Sequence, residues 1–299
     1  MNMLRKLPRF ALVLAILLVL WFAVAMFGAK FGIIDKLFAF GTMTAAWGSM
    51  MAMGLAVIAV IALLVALLVK PRSGWLAALI ALIIPLAVLG GFNQLREQAG
   101  SVPFIYDITT NTADAPMYSD ALVKARTDSG ENVNPLLDFN SPLGTYEKWA
   151  ENEELAAKTA AQLISEGYPD LKTLIVAQSP DNALKAVKEA MEMRGFENVT
   201  ADEKAGTVEG TAVVFWYGFE DDIVARIRPA DSGASIDFRS TSRVGTSDLG
   251  VNAERIADLS AAVSDRLASQ SPEIEVAVPK EEAVAPTPTP APATEPESE

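Results

Sequence analysis

Between Asp221 and Arg255 the chain reads D-D-I-V-A-R-I-R, then D-F-R-S-T-S-R, then G-T-S-D-L-G-V-N-A-E-R-I, with fixed charges at strand and helix spacing. With one acid from upstream, the candidate residues are Asp107, Asp221, Asp222, Arg226, Arg228, Asp237, Arg239, Arg243, Asp248, Asn252 and Arg255. Acids clustered beside arginines are what phosphate chemistry needs. Asp221, Asp222 or Asp248 can serve as general base or as an oxygen ligand for Mg²⁺, in a metal-dependent hydrolase or transferase. The chain has no Cys and no His, which excludes disulfides, thiolate or imidazole metal sites, a Cys nucleophile and a Ser-His-Asp triad. No Gly-rich phosphate loop occurs.

These residues are carried by a hairpin. In residues 222–229, Ile223, Ala225 and Ile227 alternate with Asp222, Val224, Arg226 and Arg228. In residues 235–244, Ile236, Phe238 and Val244 alternate with Asp237, Arg239, Thr241 and Arg243. One face is therefore core and the other polar. A two-residue turn at Ser232-Gly233 would set Arg228 opposite Asp237, Asp222 opposite Arg243, and Arg226 opposite Arg239. Two facing arginines need a negative partner, with Asp107, Asp221 and Asp248 as internal candidates and a small bound anion as the alternative. An internal Arg–Asp lattice that fixes the Gly245–Asn252 loop is the expected arrangement, and every acid has a plausible arginine partner.

Around the hairpin, residues 146–166 read as one helix stopped by Gly167. Leu174–Ala177 reads as a short buried strand. Ser179-Pro180-Asp181 opens a helix with a cap and a proline at its first position, and Gly195 ends it. Residues 196–204 and 207–217 form strands about Ala205-Gly206, giving four antiparallel strands after that helix. A final helix of about 16 residues covers Leu259–Leu267, entered through Ser247-Asp248 or Asn252.

The first third of the chain is different. Phe10–Phe27, Trp47–Val69 and Trp75–Phe92 are apolar runs without a charged residue, each able to span a bilayer. Ala23-Val24-Ala25 also fits a signal-peptidase site, but Trp21 and Phe22 crowd it, and a retained helix is expected. Arg5, Lys6, Arg9, Lys70 and Arg72 flank one side of the spans; Lys30, Lys36 and Arg96 flank the other. That imbalance places the N-terminus in the cytoplasm and the domain after the third span outside, in a multi-pass inner-membrane protein. Residues 28–46 are expected along the interface, and Trp47 and Trp75 at its level. The charge-free spans read as an anchor rather than a transport path.

Residues 1–96 carry a charge of +7 and the remainder −20, within a total of −13. A polyanionic domain lacks the Lys/Arg clustering that nucleic acid requires, so no nucleic-acid partner is expected, and no cofactor is implied. Residues 271–299, rich in Pro, Thr, Ala and Glu, read as a disordered acidic tail. The expected fold class is α+β: a three-helix transmembrane anchor in 1–96, then, in 101–270, an antiparallel sheet of four to five strands packed against helices.

The segments Ile105–Thr110, Tyr168-Pro169-Asp170, Trp216–Asp222, Arg226–Arg228, Asp237–Ser240 and Ser242–Asn252 resemble the bacterial and plastid domain-of-unknown-function family 1499, over about residues 101–268. The resemblance implies a shared fold and ionic cluster, and N-terminal spans are frequent in that family, but it brings no activity. Where the family usually has His, this chain has Tyr106, which argues against a metal or proton-transfer role there. The reading is a non-enzymatic envelope module that binds a partner or small anion through the Arg226, Arg228, Arg239, Arg243 face, its other partner being the lipid bilayer.

Overall fold

The structure, a computed structural model, describes residues 4–130 and 132–270; the tail read from the sequence at 271–299 lies outside them. Helix α1 (Leu7–Lys30) follows from an apolar run with Pro8 in its first turn, where the missing N–H costs no bond. Asp35 Oδ1 accepts from the Phe38 amide at 2.8 Å, and Phe38–Gly48 winds as a π-helix that runs straight into α2 (Ser49–Leu68). The second apolar helix thus begins earlier than the sequence reading has it, and part of the segment assigned to the interface is continuous with it. The physical reason is that no charge falls between Leu37 and Val69, so nothing stops the helix. Helix α3 (Trp75–Ser101) completes the set, with Pro85 inside it. Leu4–Lys30, Phe38–Leu68 and Trp75–Ser101 are each long and apolar enough to cross a membrane. Ala11, Ala15, Ala52, Ala59, Ala62, Ala78 and Ala81 are fully buried between them, the small residues that let helix backbones approach in lipid.

The domain that follows is α+β. Strand β1 (Asp107–Thr109) leads to α4 (Asp120–Asp128), capped by the Ser119 hydroxyl, which accepts from Leu122 N. Where the sequence suggests one helix over 146–166, there are three: α5 (Glu147–Ala150), α6 (Glu153–Ala156) and α7 (Ala160–Gly167). Asn152 and Thr159 break the run because each side chain accepts from the amide three residues on, starting a new helix instead of continuing the old one. Strand β2 (Leu174–Val176) is only partly buried, with Ile175 exposed, and α8 (Pro180–Met193) has the expected Ser179 cap and stops before Gly195 in the left-handed region. Then come β3 (Glu197–Asp202), β4 (Thr207–Val213), β5 (Glu220–Ala230), β6 (Gly233–Ser242) and α9 (Val251–Gln270).

The six strands form one antiparallel sheet in the order β1-β6-β5-β4-β3, with β2 pairing the other half of β6. The short strand β1, which the sequence reading lacks, brings the count above the four to five expected. Ile223, Ala225, Ile227, Ile236 and Phe238 face α7, α8 and α9 across the main core, with Met191, Ile256 and Leu259 wholly buried among them.

The β5–β6 register differs from the expected one by two residues. Ala230 pairs Gly233, so the turn is Asp231-Ser232, and Arg226 faces Asp237 while Val224 faces Arg239. Asp222 faces Thr241 and Arg228 faces Ser235. The expected pairing of Arg226 with Arg239 does not exist. Gly233 misleads because its reason lies in packing: at φ 136° it lies under β2, where a Cβ would come 2.2 Å from the Val176 carbonyl oxygen.

Candidate functional site

The polar face of the hairpin is roofed by residues 111–119, α4 and residues 132–139. Tyr118, Leu122 and Val224 make a small apolar cluster there, and Tyr118 Oη lies 2.9 Å from both the Asp222 carbonyl oxygen and Thr241 Oγ1. The charges beneath this roof therefore sit at low dielectric, where an unpaired ion is costly.

Three ion-pair centres occupy the face. Asp107 and Arg239, 0 % and 1 % exposed, meet through two bonds, Nε to Oδ1 at 3.0 Å and Nη2 to Oδ2 at 2.7 Å. The remaining acceptor capacity of Asp107 takes Thr241 Oγ1 at 2.6 Å and the Leu137 amide at 3.0 Å; Arg239 also donates to the Pro116 and Leu137 carbonyls and stacks over Phe139. Burial by itself pulls the Arg239 guanidinium toward neutrality, but the charge and hydrogen bonds of Asp107 more than offset it, so its pKa is raised. In the second centre, Asp222 accepts from Arg126 Nη1 at 2.8 Å, Arg243 Nη2 at 2.7 Å and Thr211 Oγ1 at 2.9 Å. Arg243 also pairs with Glu220, which Lys36 reaches from before the π-helical turn at 3.0 Å. In the third, Asp237 holds Arg226 Nη2 at 2.9 Å and Thr173 Oγ1 at 2.5 Å, while Asp114 bridges Arg226 and the exposed Arg228.

On the opposite face, under α9, Arg255 donates to Asp221 Oδ2 at 2.6 Å, to Ser240 and to Asn252. Asn252 is fully buried and donates to the Tyr106 carbonyl and Ser242 Oγ at 3.0 Å each. Asp248 accepts from the Gly250 and Asn252 amides at 2.9 and 3.0 Å, so it starts α9. Burial pushes its carboxyl up to about 6 against the opposing effect of those two amides. Among the described residues, no group of three or more His, Cys, Asp or Glu side chains is placed to hold a metal ion.

Of the eleven residues singled out from the sequence, Asp107, Asp222, Arg226, Arg228, Asp237, Arg239 and Arg243 lie on this face, while Asp221, Asp248, Asn252 and Arg255 gather at the start of α9 on the helix-covered side; they form separate centres rather than surrounding one cavity. Of the acids proposed to bridge Arg226 and Arg239, Asp107 serves Arg239 alone, Asp221 serves Arg255, and Asp248 serves the backbone. Sequence reasoning missed Arg126, 3 % exposed and donating also to the Asn134, Thr241 and Ser242 carbonyls, and missed Asp114, Tyr118, Thr211 and Glu220. Arg126 lies on a short polar helix, where a charge ordinarily faces water. The only signal was its spacing from the Leu122 stripe, which is weak.

Residues 107–263, just over half of the chain, match the family described as Protein of unknown function (DUF1499). The chain belongs to this family. No curated protein and no solved structure matches it. The DUF1499 match begins at Asp107, the buried partner of Arg239, and takes in every residue of the three ion-pair centres apart from Lys36. In this member Tyr106 donates to the Pro135 carbonyl at 3.0 Å and stacks on Trp149 with ring centroids 5.2 Å apart, with its hydroxyl pKa pushed up by burial; it is a packing residue.

Proposed function

We propose that the DUF1499 domain of this membrane protein is a non-enzymatic module, displayed on the outer face of the inner membrane of the bacterial envelope, that docks an envelope partner from a scaffold stiffened by its ion pairs. The observation that carries this reading is how the charges are used. Asp107 and Asp222 are fully buried with their oxygens taken by arginines and hydroxyls, and Asp221 and Asp248 are engaged by Arg255 and by backbone amides. A general base or a Mg²⁺ ligand needs a lone pair open to substrate or metal, and these have little to offer. The small-anion reading rested on two facing arginines; Arg226 and Arg239 instead face a carboxylate and a valine.

Titrating the full-length protein with Mg²⁺, Mn²⁺, Ca²⁺ or inorganic phosphate is expected to leave its melting temperature unchanged. A rise that saturates with any of them would restore the hydrolase or anion reading. The side of the membrane follows from five bases against three, and an alkaline phosphatase fusion after Gln270 is expected to be active and one at Lys70 inactive. Activity at Lys70 would invert the topology.

A further inference from the structure

The connection between β4 and β5, V-F-W-Y-G-F from Val214 to Phe219, packs onto the apolar helices. Tyr217 is buried against Ala25, Ala29, Ala39 and Met43, and its hydroxyl lies 2.7 Å from Thr44 Oγ1. Phe40 meets both Tyr217 and Phe219 edge to face, at 5.4 and 6.0 Å. Gly218, at φ 67°, passes so near α1 that a Cβ would stand 3.2 Å from the Lys30 Cα, and Lys30 Nζ sits 3.7 Å over the Phe215 ring. The loop is thus fixed in height relative to α1.

That height can be placed on the bilayer. The uncharged part of α1 runs between Arg9 and Lys30, about 20 residues or about 30 Å, the thickness of a hydrocarbon core. Ala25 and Ala29, which Tyr217 touches, lie in its last turn and a half, so the loop stands at the hydrocarbon edge. There Phe215 and Trp216 are 59 % and 53 % exposed, beside Phe31 and Ile33 at 70 % and 80 %. Four large apolar side chains left to water at one level is the pattern of a covered patch, and Trp and Phe at this depth are what the headgroup layer takes up.

We infer that Phe215 and Trp216 are seated in the headgroup layer of the lipid bilayer, so that the DUF1499 domain rests on the membrane through this loop as well as hanging from α3. The inference depends on the helices crossing the bilayer and is independent of whether the domain is an enzyme. It also gives the W-Y-G-F sequence its residues: Tyr217 and Phe219 latch onto the anchor, Gly218 allows the close approach, and Trp216 faces lipid.

The absence of cysteine makes the test clean, since each introduced thiol is the only one. Full-length Trp216→Cys, labelled with bimane and reconstituted in phosphatidylcholine vesicles, is compared with Glu203→Cys in the exposed β3–β4 turn and with Val57→Cys on the exposed face of α2. Phosphatidylcholine bearing a headgroup nitroxide is expected to quench the probe at 216 several-fold more than at 203, and aqueous iodide is expected to do the reverse. A deep acyl-chain nitroxide should quench at 57. Equal behaviour at 216 and 203 would overturn the inference while leaving the spans intact, provided 57 is quenched; no quenching at 57 would remove the membrane reading and this inference together. Protection from iodide without nitroxide quenching would mean that protein, such as a second copy, covers the loop, and also overturns it. Phe215→Cys, read in the same way, covers a Trp216 variant that fails to fold.

Discussion

Arg239→Ala is expected to lower the unfolding free energy of the domain by about 3–5 kcal/mol, because it leaves the Asp107 carboxylate buried with no counter-charge. Asp107 is fully buried, and its remaining partners, Thr241 and the Leu137 amide, are neutral donors that cannot replace a guanidinium making two bonds. Thermal unfolding of full-length protein in detergent micelles should therefore show a melting temperature lower by roughly 6–20 °C, taking about 2–4 °C per kcal/mol for a domain of this size. Asp107→Leu with Arg239→Met removes both charges and keeps apolar volume, so it should recover much of the loss, with a coupling of roughly 0.5–3 kcal/mol between the positions. Arg226→Ala joined to Arg239→Ala is a different case. These two hold different acids, Asp237 and Asp107, so their losses should be close to additive, whereas a shared bridging acid would have coupled them. An Arg239→Ala protein as stable as its parent would overturn the scaffold account.

What was legible in the sequence divides along range. The apolar spans, the Ser179-Pro180 helix start and the alternation of β5 and β6 are local patterns, and each is present in the structure, the second span starting earlier than the apolar run at Trp47 suggests. Alternation fixes which face a residue takes but not which residue it meets: a slip of two keeps every face and changes every partner. That is how Arg226 could be assigned to the correct face and the wrong neighbour. Gly233 was read as a turn residue on local grounds, while its actual constraint, the Val176 carbonyl, comes from a strand more than fifty residues away. The segment from Asn111 to Phe139 was opaque for a related reason. Its described residues have little regular structure beyond α4, and their task is to roof a polar sheet face, so the useful ones are a tyrosine, an arginine and backbone carbonyls rather than an apolar stripe. On that face Arg226, Arg228, Arg239 and Arg243 already outnumber Asp107, Asp222 and Asp237, so no accounting of charge demanded a further arginine at 126.

Arg126 and Asp222 give the second large expected effect, and the two are unequal. Asp222 is the shared acceptor of two guanidiniums; Asp222→Ala leaves Arg126, 3 % exposed, and Arg243, 9 % exposed, facing each other across the space it vacates. Both lose charge-assisted bonds and gain a like-charge neighbour, so the loss should equal or exceed that of Arg239→Ala. Arg126→Met removes one of the two cations and leaves Asp222 paired with Arg243, so a smaller cost of about 1–3 kcal/mol is expected, mainly from the Asn134 carbonyl losing the Arg126 donor and the Ser242 carbonyl keeping Asn134 Nδ2 in place of two donors. Joining Arg126→Met to Asp222→Asn takes away the acid and one arginine together. Arg243 then keeps Glu220 and Thr211 as partners. The double variant should therefore melt above the temperature that summing the two single losses gives, and Asp222→Asn should melt lower in the presence of Arg126 than the cycle assigns to it in its absence. Strictly additive losses would mean that Arg126 and Asp222 are stabilised independently, and that the roof segment is not locked to the sheet through this pair.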